Sequence, residues 1–374
     1  MTYFCTLFKG RTLAQNAVRH APGKKNAMQM KRFTLFALCL LLGAGYASAQ
    51  GPYQFPNADF ENWVSTGSGN AVPAHWHTFG NMQCDLMMGI GCGTAMKNHS
   101  NRIARKNGGY ALQIYAKSVL GVIANGAMTT GRTRVASLNA GSPENYNFDP
   151  AGYRWTFHGR PDSIAFLARS SGGISGNALF KVFIHDGQTY YDKANGDLQG
   201  TCYGQMIIAF HPTSCWKRFA KKVSWTNATV RPSLILGSFS TNEKAGGGSS
   251  SDKLDVDALR CIYDKGLSSL YIDGESQPDM LAAFNRAEFD THDGLTGNGT
   301  NSGCASAVYT IPVGLNANYE FPQVRATQRS PLAASVTVTQ ATLDNPQATV
   351  TVTHNDGSTF TYIVRFARCK TGIS

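Results

Sequence analysis

Short apolar runs recur along the chain at strand length, and almost nothing reads as a long amphipathic helix. Tyr110–Tyr115, Ser163–Ala168, Ala178–Ile184, Gln205–Phe210, Ser233–Gly237 and Leu254–Leu259 alternate with stretches that carry Gly, Asn, Ser and Pro. A run of this length cannot build a stable isolated helix, but it suits a strand that buries at least one face. The chain also holds 39 glycines, as many tight turns require. The pattern predicts an all-β fold, either a sandwich or a barrel.

The last hundred residues repeat the theme more cleanly. Ala334–Ala341 and Ala348–Thr353 alternate Val with Thr, so each predicted strand has one dry and one wet face. Asn355-Asp356-Gly357 then leads into Thr359–Phe366, and an Asp-Gly turn between alternating strands is a strong hairpin signal. A boundary is expected near Asp264-Lys265-Gly266, dividing residues 50–265 from a smaller antiparallel sandwich over 266–374. Two loops rich in Gly, Asn, Thr and Ser, Asp290–Gly303 and Gly246–Ser251, are expected to be mobile.

The first 49 residues read as processing signal rather than fold. Met30-Lys31-Arg32, the apolar run Phe33–Leu42 and Ala47-Ser48-Ala49 have the order of a secretory leader, over residues 30–49. Residues 1–29 then read as a mis-assigned start, with Met30 the true one. The expectation is an exported protein of the periplasm, cell surface or extracellular space. No later apolar run reaches about 18 residues, so no span across a membrane is expected.

The leader changes the meaning of the charge. The chain is +11, with 34 Lys and Arg against 23 acids, but seven of those bases and no acid fall in residues 1–49. Taking seven from 34 leaves 27 bases against the 23 acids, or +4, which is no argument for a nucleic-acid partner.

Export permits disulfides. Cys84–Cys92 and Cys202–Cys215 are close enough in sequence to close loops, and Cys304–Cys369 would staple the tail, leaving Cys261 as a buried thiol. The alternative keeps all of them reduced. No Cys-x-x-Cys is present to suggest zinc.

Two distant acidic stretches belong together if the first and last strands of the larger domain are neighbours. In Asn57–Trp63, an inward Phe60 sends Asp59 and Glu61 the other way; in Leu254–Leu259, Asp255 and Asp257 oppose Leu254 and Val256. Converging carboxylates need a cation or an arginine. Oxygen ligands in an exported protein suit a structural Ca²⁺, with Glu61, Asp257 and Asp59 as its ligands. The alternative is that these acids cap turns or face water.

Asn57-Ala-Asp-Phe-Glu-Asn-Trp63, then Pro73-Ala-His-Trp76, then Leu254-Asp-Val-Asp-Ala-Leu259 resembles jelly-roll carbohydrate-binding modules. Gly126–Gly131, ending in Thr-Gly, and Phe157–Ile164, with Arg160-Pro161 opening a core strand, are more particular. Together they resemble the carbohydrate-metabolism domain family of surface and exported Bacteroidetes proteins, over about residues 53–264. The tail resembles the small immunoglobulin-like β domains attached to such proteins. The resemblance implies an all-β jelly-roll sandwich followed by a small immunoglobulin-like β-sandwich, and a partner that is a glycan or polysaccharide. The insertion between Cys84 and Cys92 departs from the family pattern, so no site is transferred across it.

Sugar-binding β modules stack pyranose rings on exposed aromatics flanked by polar groups. Tyr190 and Tyr191, in a polar stretch after a strand, are the expected exposed pair; Trp155 and Arg160 are further candidates, and Tyr153, Trp216 and Trp225 weaker ones. A glycoside hydrolase would need two carboxylates across a cleft, and no pair is singled out. No nucleophile elbow, phosphate loop or dinucleotide fingerprint occurs. The reading is a non-catalytic glycan-binding protein of the cell envelope. Its alternatives are an adhesive surface protein that binds other envelope proteins and a glycoside hydrolase.

Overall fold

The computed structural model describes residues 52–65, 71–86, 92, 99–106, 108–193, 200–293, 306–313 and 320–368. Residues 1–29, the expected leader over 30–49, Cys304 and Cys369 lie outside these residues.

The larger lobe is a jelly-roll sandwich of two five-stranded sheets. The first sheet runs in the order Lys217–Lys222, Ser163–Ser170, Lys253–Ile262, Tyr110–Tyr115, Ser100–Ala104, and the second Ser224–Trp225, Cys202–Phe210, Ala178–His185, Leu234–Ser240, Ala127–Thr129. All pairings within both sheets are antiparallel. Period-two alternation sends Ile164, Phe166 and Ala168 inward from one sheet and Phe180, Val182 and Ile184 from the other, into one core. Phe180 and Phe239 stack at 3.8 Å between ring centres, and Phe166 meets each of them edge-on at 5.3 Å.

The amino-terminal stretch does lie against the Lys253–Ile262 strand and its end, but not as a strand. Gln54 mimics a strand partner with its side-chain amide: Nε2 donates to the Cys261 carbonyl at 2.9 Å and Oε1 accepts from the Cys261 N–H at 2.8 Å. The Leu259 N–H donates to the Ala58 carbonyl at 2.9 Å. Phe60 has φ of 53°, so a turn and not a pleat buries its ring beside Trp76, leaving Asp59 and Glu61 outside. Trp76 is fully buried and its indole N–H donates to the Pro56 carbonyl at 2.8 Å.

The smaller lobe has its own core, built from Leu267, Phe284, Val350, Tyr362 and neighbours. Gln347–His354 and Thr359–Arg368 form the expected hairpin, with Gly357 at φ of 80° in its turn. Two features depart from a purely antiparallel sandwich. Ser306–Val313 pairs parallel to Thr359–Arg368, and a helix, Pro278–Asp293, buries Met280 and Phe284 in this core.

Polar contacts join the lobes. Asp162 accepts from the Ser330 hydroxyl at 2.5 Å and from His354 Nε2 at 2.9 Å. Arg329 donates to both oxygens of Asp264 at 2.7 and 2.6 Å. Buried Lys265 donates from Nζ to the Tyr263 carbonyl and the Ser358 hydroxyl, while its N–H meets Glu288 Oε1 at 2.9 Å.

Cys84 and Cys92 are bonded, with their Cα atoms 6.2 Å apart. Cys202 and Cys215 are not: both are free thiols, as is buried Cys261. Cys202 opens the Cys202–Phe210 strand and Cys215 follows its far end. Eight extended steps separate those ends by about 27 Å, far beyond a disulfide.

Candidate functional site: a cleft on the second sheet

The outward face of the second sheet is not flat. A further small sheet, in the order Tyr191–Asp192, Tyr146–Phe148, Arg132–Val135, Gln83–Cys84, rises beside it. Between them is a cavity of about 490 Å³. Leu179, Lys181, Ser238 and Ser240 line it from the second sheet, and Thr133 and Tyr146 from the small sheet.

Period two explains why a lysine sits mid-strand among apolar residues. Phe180 and Val182 point into the core, so Lys181 between them points out into the cavity. Lys181 Nζ donates to both oxygens of Asp192 at 3.0 Å each. Burial pushes the Asp192 carboxyl above the usual carboxylate range, and Lys181 opposes that shift. Next to this pair, the Thr133 hydroxyl donates to Asn147 Oδ1 at 2.8 Å.

Like Phe79, Tyr146 is a half-exposed aromatic of the cavity wall. Its ring is set by its neighbours. Phe148 and Tyr191 meet it at 5.8 Å, in edge-on contacts of 75° and 70°. Tyr191 in turn stacks on Phe148 at 5.6 Å. Lys193 and Arg134 lie over the Tyr146 ring at 5.2 and 5.5 Å. Arg134 also clasps Asp85 at 2.6 Å and Glu144 at 2.7 Å; its guanidinium holds the Asp85 carboxyl below the usual range. The cavity therefore offers aromatic surface and a short row of hydrogen-bonding groups, framed by aliphatic carbon from Leu179 and Val135.

The residues expected from sequence are placed differently. Tyr190 is buried rather than exposed, at 1% of its surface. Its N–H donates to Asp149 Oδ1 at 2.6 Å, and Asp149 lies 3.1 Å from His185 Nε2. This anchor turns the ring onto Phe183, 4.8 Å away. Tyr191 stays half-exposed and backs Tyr146. Trp155 packs on the core of the sandwich, outside the cavity lining, and its indole N–H donates to the Gln54 carbonyl at 3.0 Å. Arg160 is an interlobe tie: its N–H and carbonyl pair with the side-chain amide of Asn355, each at 2.9 Å.

The acids of the expected ion site are met by protein groups. Arg105 forms an ion pair with Asp257, which also accepts from the Ala258 N–H at 2.6 Å. Burial pushes the Asp257 carboxyl up to about 6, with Glu61 and Asp59 adding to the rise and Arg105 opposing it. Glu61 accepts the Tyr110 N–H at 2.9 and 3.2 Å. Asp255 is held by Arg169 Nε at 2.8 Å, Gln113 Nε2 at 2.9 Å and the Ser171 hydroxyl at 3.0 Å. Among the described residues, no three His, Cys, Asp or Glu side chains are grouped to hold a metal ion. Asp257 and Asp255 thus each have an arginine counter-charge, while Glu61 meets a backbone N–H and exposed Asp59 accepts, among the described residues, only from the Glu61 N–H at 3.5 Å.

Lys181, Asp192 and Tyr146 were not among the expected site residues. A lysine inside Ala178–Ile184 was the legible signal, because a charge mid-strand marks a face that is not core.

No protein-family model and no curated protein matches this chain. Among solved structures, the chain is similar to the CBM22-1 xylan-binding domain of Paenibacillus barcinonensis, at 16% identity and a TM-score of 0.23 over 50% of this chain and 90% of that one. It is similar to the family 11 carbohydrate-binding module of Clostridium thermocellum in complex with a β-1,3-1,4-mixed-linked tetrasaccharide, at 11% and 0.24 over 54% and 94%. An arabinose-bound GH51 α-L-arabinofuranosidase matches at 13% and 0.30 over 55% of this chain, which spans only 26% of that enzyme.

Proposed function

We propose that the protein is a non-catalytic glycan-binding module of the cell envelope, holding a saccharide in the cleft on the second sheet. One observation carries the reading: Tyr146 stands in the same 490 Å³ cavity as Lys181, Asp192 and Thr133. Cavities of roughly 300–1,000 Å³ take small ligands. A sugar ring offers C–H bonds to an aromatic face and hydroxyls to its flanking groups, and this wall presents both. A carboxylate accepts from two neighbouring hydroxyls, and the ammonium beside it donates to their oxygens.

Binding without hydrolysis is favoured by the state of the acids. Asp192 has both oxygens on Lys181, and Glu243, the other acid of the lining, accepts from Asn177 Nδ2 at 3.2 Å. A hydrolase needs one carboxyl free to give a proton and a second facing it. The leader-like residues 30–49 support export.

A glycan array on the mature protein tests the proposal, with Tyr146→Ala and Lys181→Met as variants. Both are expected to weaken the glycans that bind by roughly ten-fold or more, the loss of one stacked ring or one charged hydrogen bond. An empty array, variants that bind like the parent, or released reducing ends would each overturn it.

A further inference from the structure

The other sheet carries a feature the cleft does not use. Its edge strand, Lys217–Lys222, has four cations in six residues and no acid. Phe219 points inward and stacks on Phe166 at 5.9 Å, so Arg218 and Lys222 lie on the outward face, in register with Trp216 just before the strand. Lys217, Arg218, Lys221 and Lys222 are exposed and Trp216 is half-exposed.

The sheet surface beside this strand is organised around the same tryptophan. Asn101 Nδ2 donates to Gln113 Oε1 at 3.0 Å, Gln113 Nε2 donates to Asp255 at 2.9 Å, and Arg169 Nε donates to Asp255 at 2.8 Å. The row crosses four strands and ends with the Arg169 guanidinium 5.0 Å from the Trp216 ring. From a second direction Arg105, paired to Asp257, comes within 5.7 Å of that ring. Two guanidiniums and one indole thus share a patch. Asp255 and Asp257 beneath them are buried and fix their positions.

We propose that this face is a second binding surface, for an acidic polysaccharide. The indole is a ring-sized platform, and the guanidinium forks suit carboxylate or sulfate groups carried on sugar rings. From Trp216 to Lys222 the strand runs about 20 Å, which suits an extended chain. The buried pairs Arg105–Asp257 and Arg169–Asp255 balance themselves, and Glu61 and Asp59 add negative field near Asp257. The net attraction therefore comes from the edge strand. Exposed lysines also protect an edge strand from pairing with another chain. That role needs no tryptophan and no arginines on the neighbouring sheet face. The strand carries no large apolar side chain on its outward face to enter a bilayer.

The test uses the full mature chain and isothermal titration against polygalacturonate, heparin and neutral amylose at two salt concentrations. At least one acidic polymer is expected to bind, more weakly at high salt, and amylose is not expected to compete at this face. Arg218→Gln/Lys222→Gln should lower that affinity roughly ten-fold and flatten its salt dependence. Trp216→Ala should lower it with the salt dependence kept. Tyr146→Ala should leave it unchanged, which separates this face from the cleft. Melting temperatures confirm that each variant is folded. No binding to either acidic polymer, or binding that the Arg218, Lys222 and Trp216 variants leave intact, would overturn the proposal. Equal or tighter binding to duplex DNA or to phosphatidylglycerol vesicles through the same residues would also overturn it, by assigning the face to another partner.

Discussion

Glu288 offers a sharp test of how the two lobes are held together. It sits on the helix of the smaller lobe, 3% exposed, with Oε1 on the Lys265 N–H and Arg329 3.4 Å from Oε2. Burial, more than any partner, pushes its carboxyl up from 4.5 to about 7, while the Lys265 N–H opposes the rise. The folded protein thus holds this proton more tightly than the unfolded chain does. The associated stability is fully present below about pH 4.5 and is lost as pH rises through about 7. A shift of that size corresponds to about 3 kcal/mol, at about 1.4 kcal/mol per pH unit. Glu288→Gln keeps an oxygen for the Lys265 N–H and removes the ionisation. The variant should therefore match the parent near pH 4.5 and exceed it by about 3 kcal/mol at pH 8. Urea unfolding at pH 4.5, 6 and 8 measures this, read on the transition that includes the smaller lobe if the lobes separate. Asp257 also titrates with a raised value, but it is common to both proteins and cancels in the difference. A stability difference of the same size at all three pH values would refute the reasoning.

Two further outcomes follow from the carboxylates of the first sheet. Arg169→Met should cost about 3–5 kcal/mol, because it leaves the fully buried Asp255 carboxylate without its counter-charge, and Asp255→Asn in the same protein should restore most of the loss; chemical denaturation of the single and double variants checks this, and equal losses would count against a buried pair. Since Arg105 already balances Asp257, EDTA should leave the melting temperature unchanged; a fall that added Ca²⁺ reverses would instead put an ion on Glu61, Asp59 and Asp257.

The strands were legible because burial has a period. Val350 and Val352 alternate with wetter neighbours, and the pleat converts that spacing into a core without further information, whereas Ile164–Ala168 is buried on both faces and reads as a short continuous apolar run. The helix Pro278–Asp293 was missed although its start is marked by Pro278 and Asp279, good first-turn residues, and Met280 and Phe284 are four apart. Only two or three apolar residues face inward, and Asn285 and Glu288 complete the face as hydrogen-bond partners of Leu267 and Lys265. A helix that docks partly through polar groups has no clear apolar stripe to read. Tyr190 misled in the opposite way. Its neighbours in sequence are polar, yet Asp149, 41 residues earlier, fixes its backbone and sends the ring inward.

The acids show where sequence reading stops. Alternation states that Asp255 and Asp257 share the outward face of their strand, and burial states that each needs a positive partner. Neither states which one. The partner depends on register: Asp255 faces Gln113 on one side and Arg169 on the other, 142 and 86 residues away in sequence. A slip of one residue in either ladder would turn an apolar side chain toward the carboxylate, so the pairing that buries Leu254 and Val256 also chooses the arginine. Residue types alone leave an ion and a guanidinium equally suitable, because both answer the same electrostatic demand. The cleft obeys the same rule at shorter range. Lys181 lies on its strand by alternation, but its role is set only once Asp192, returning beside Asn147, meets it across the cavity.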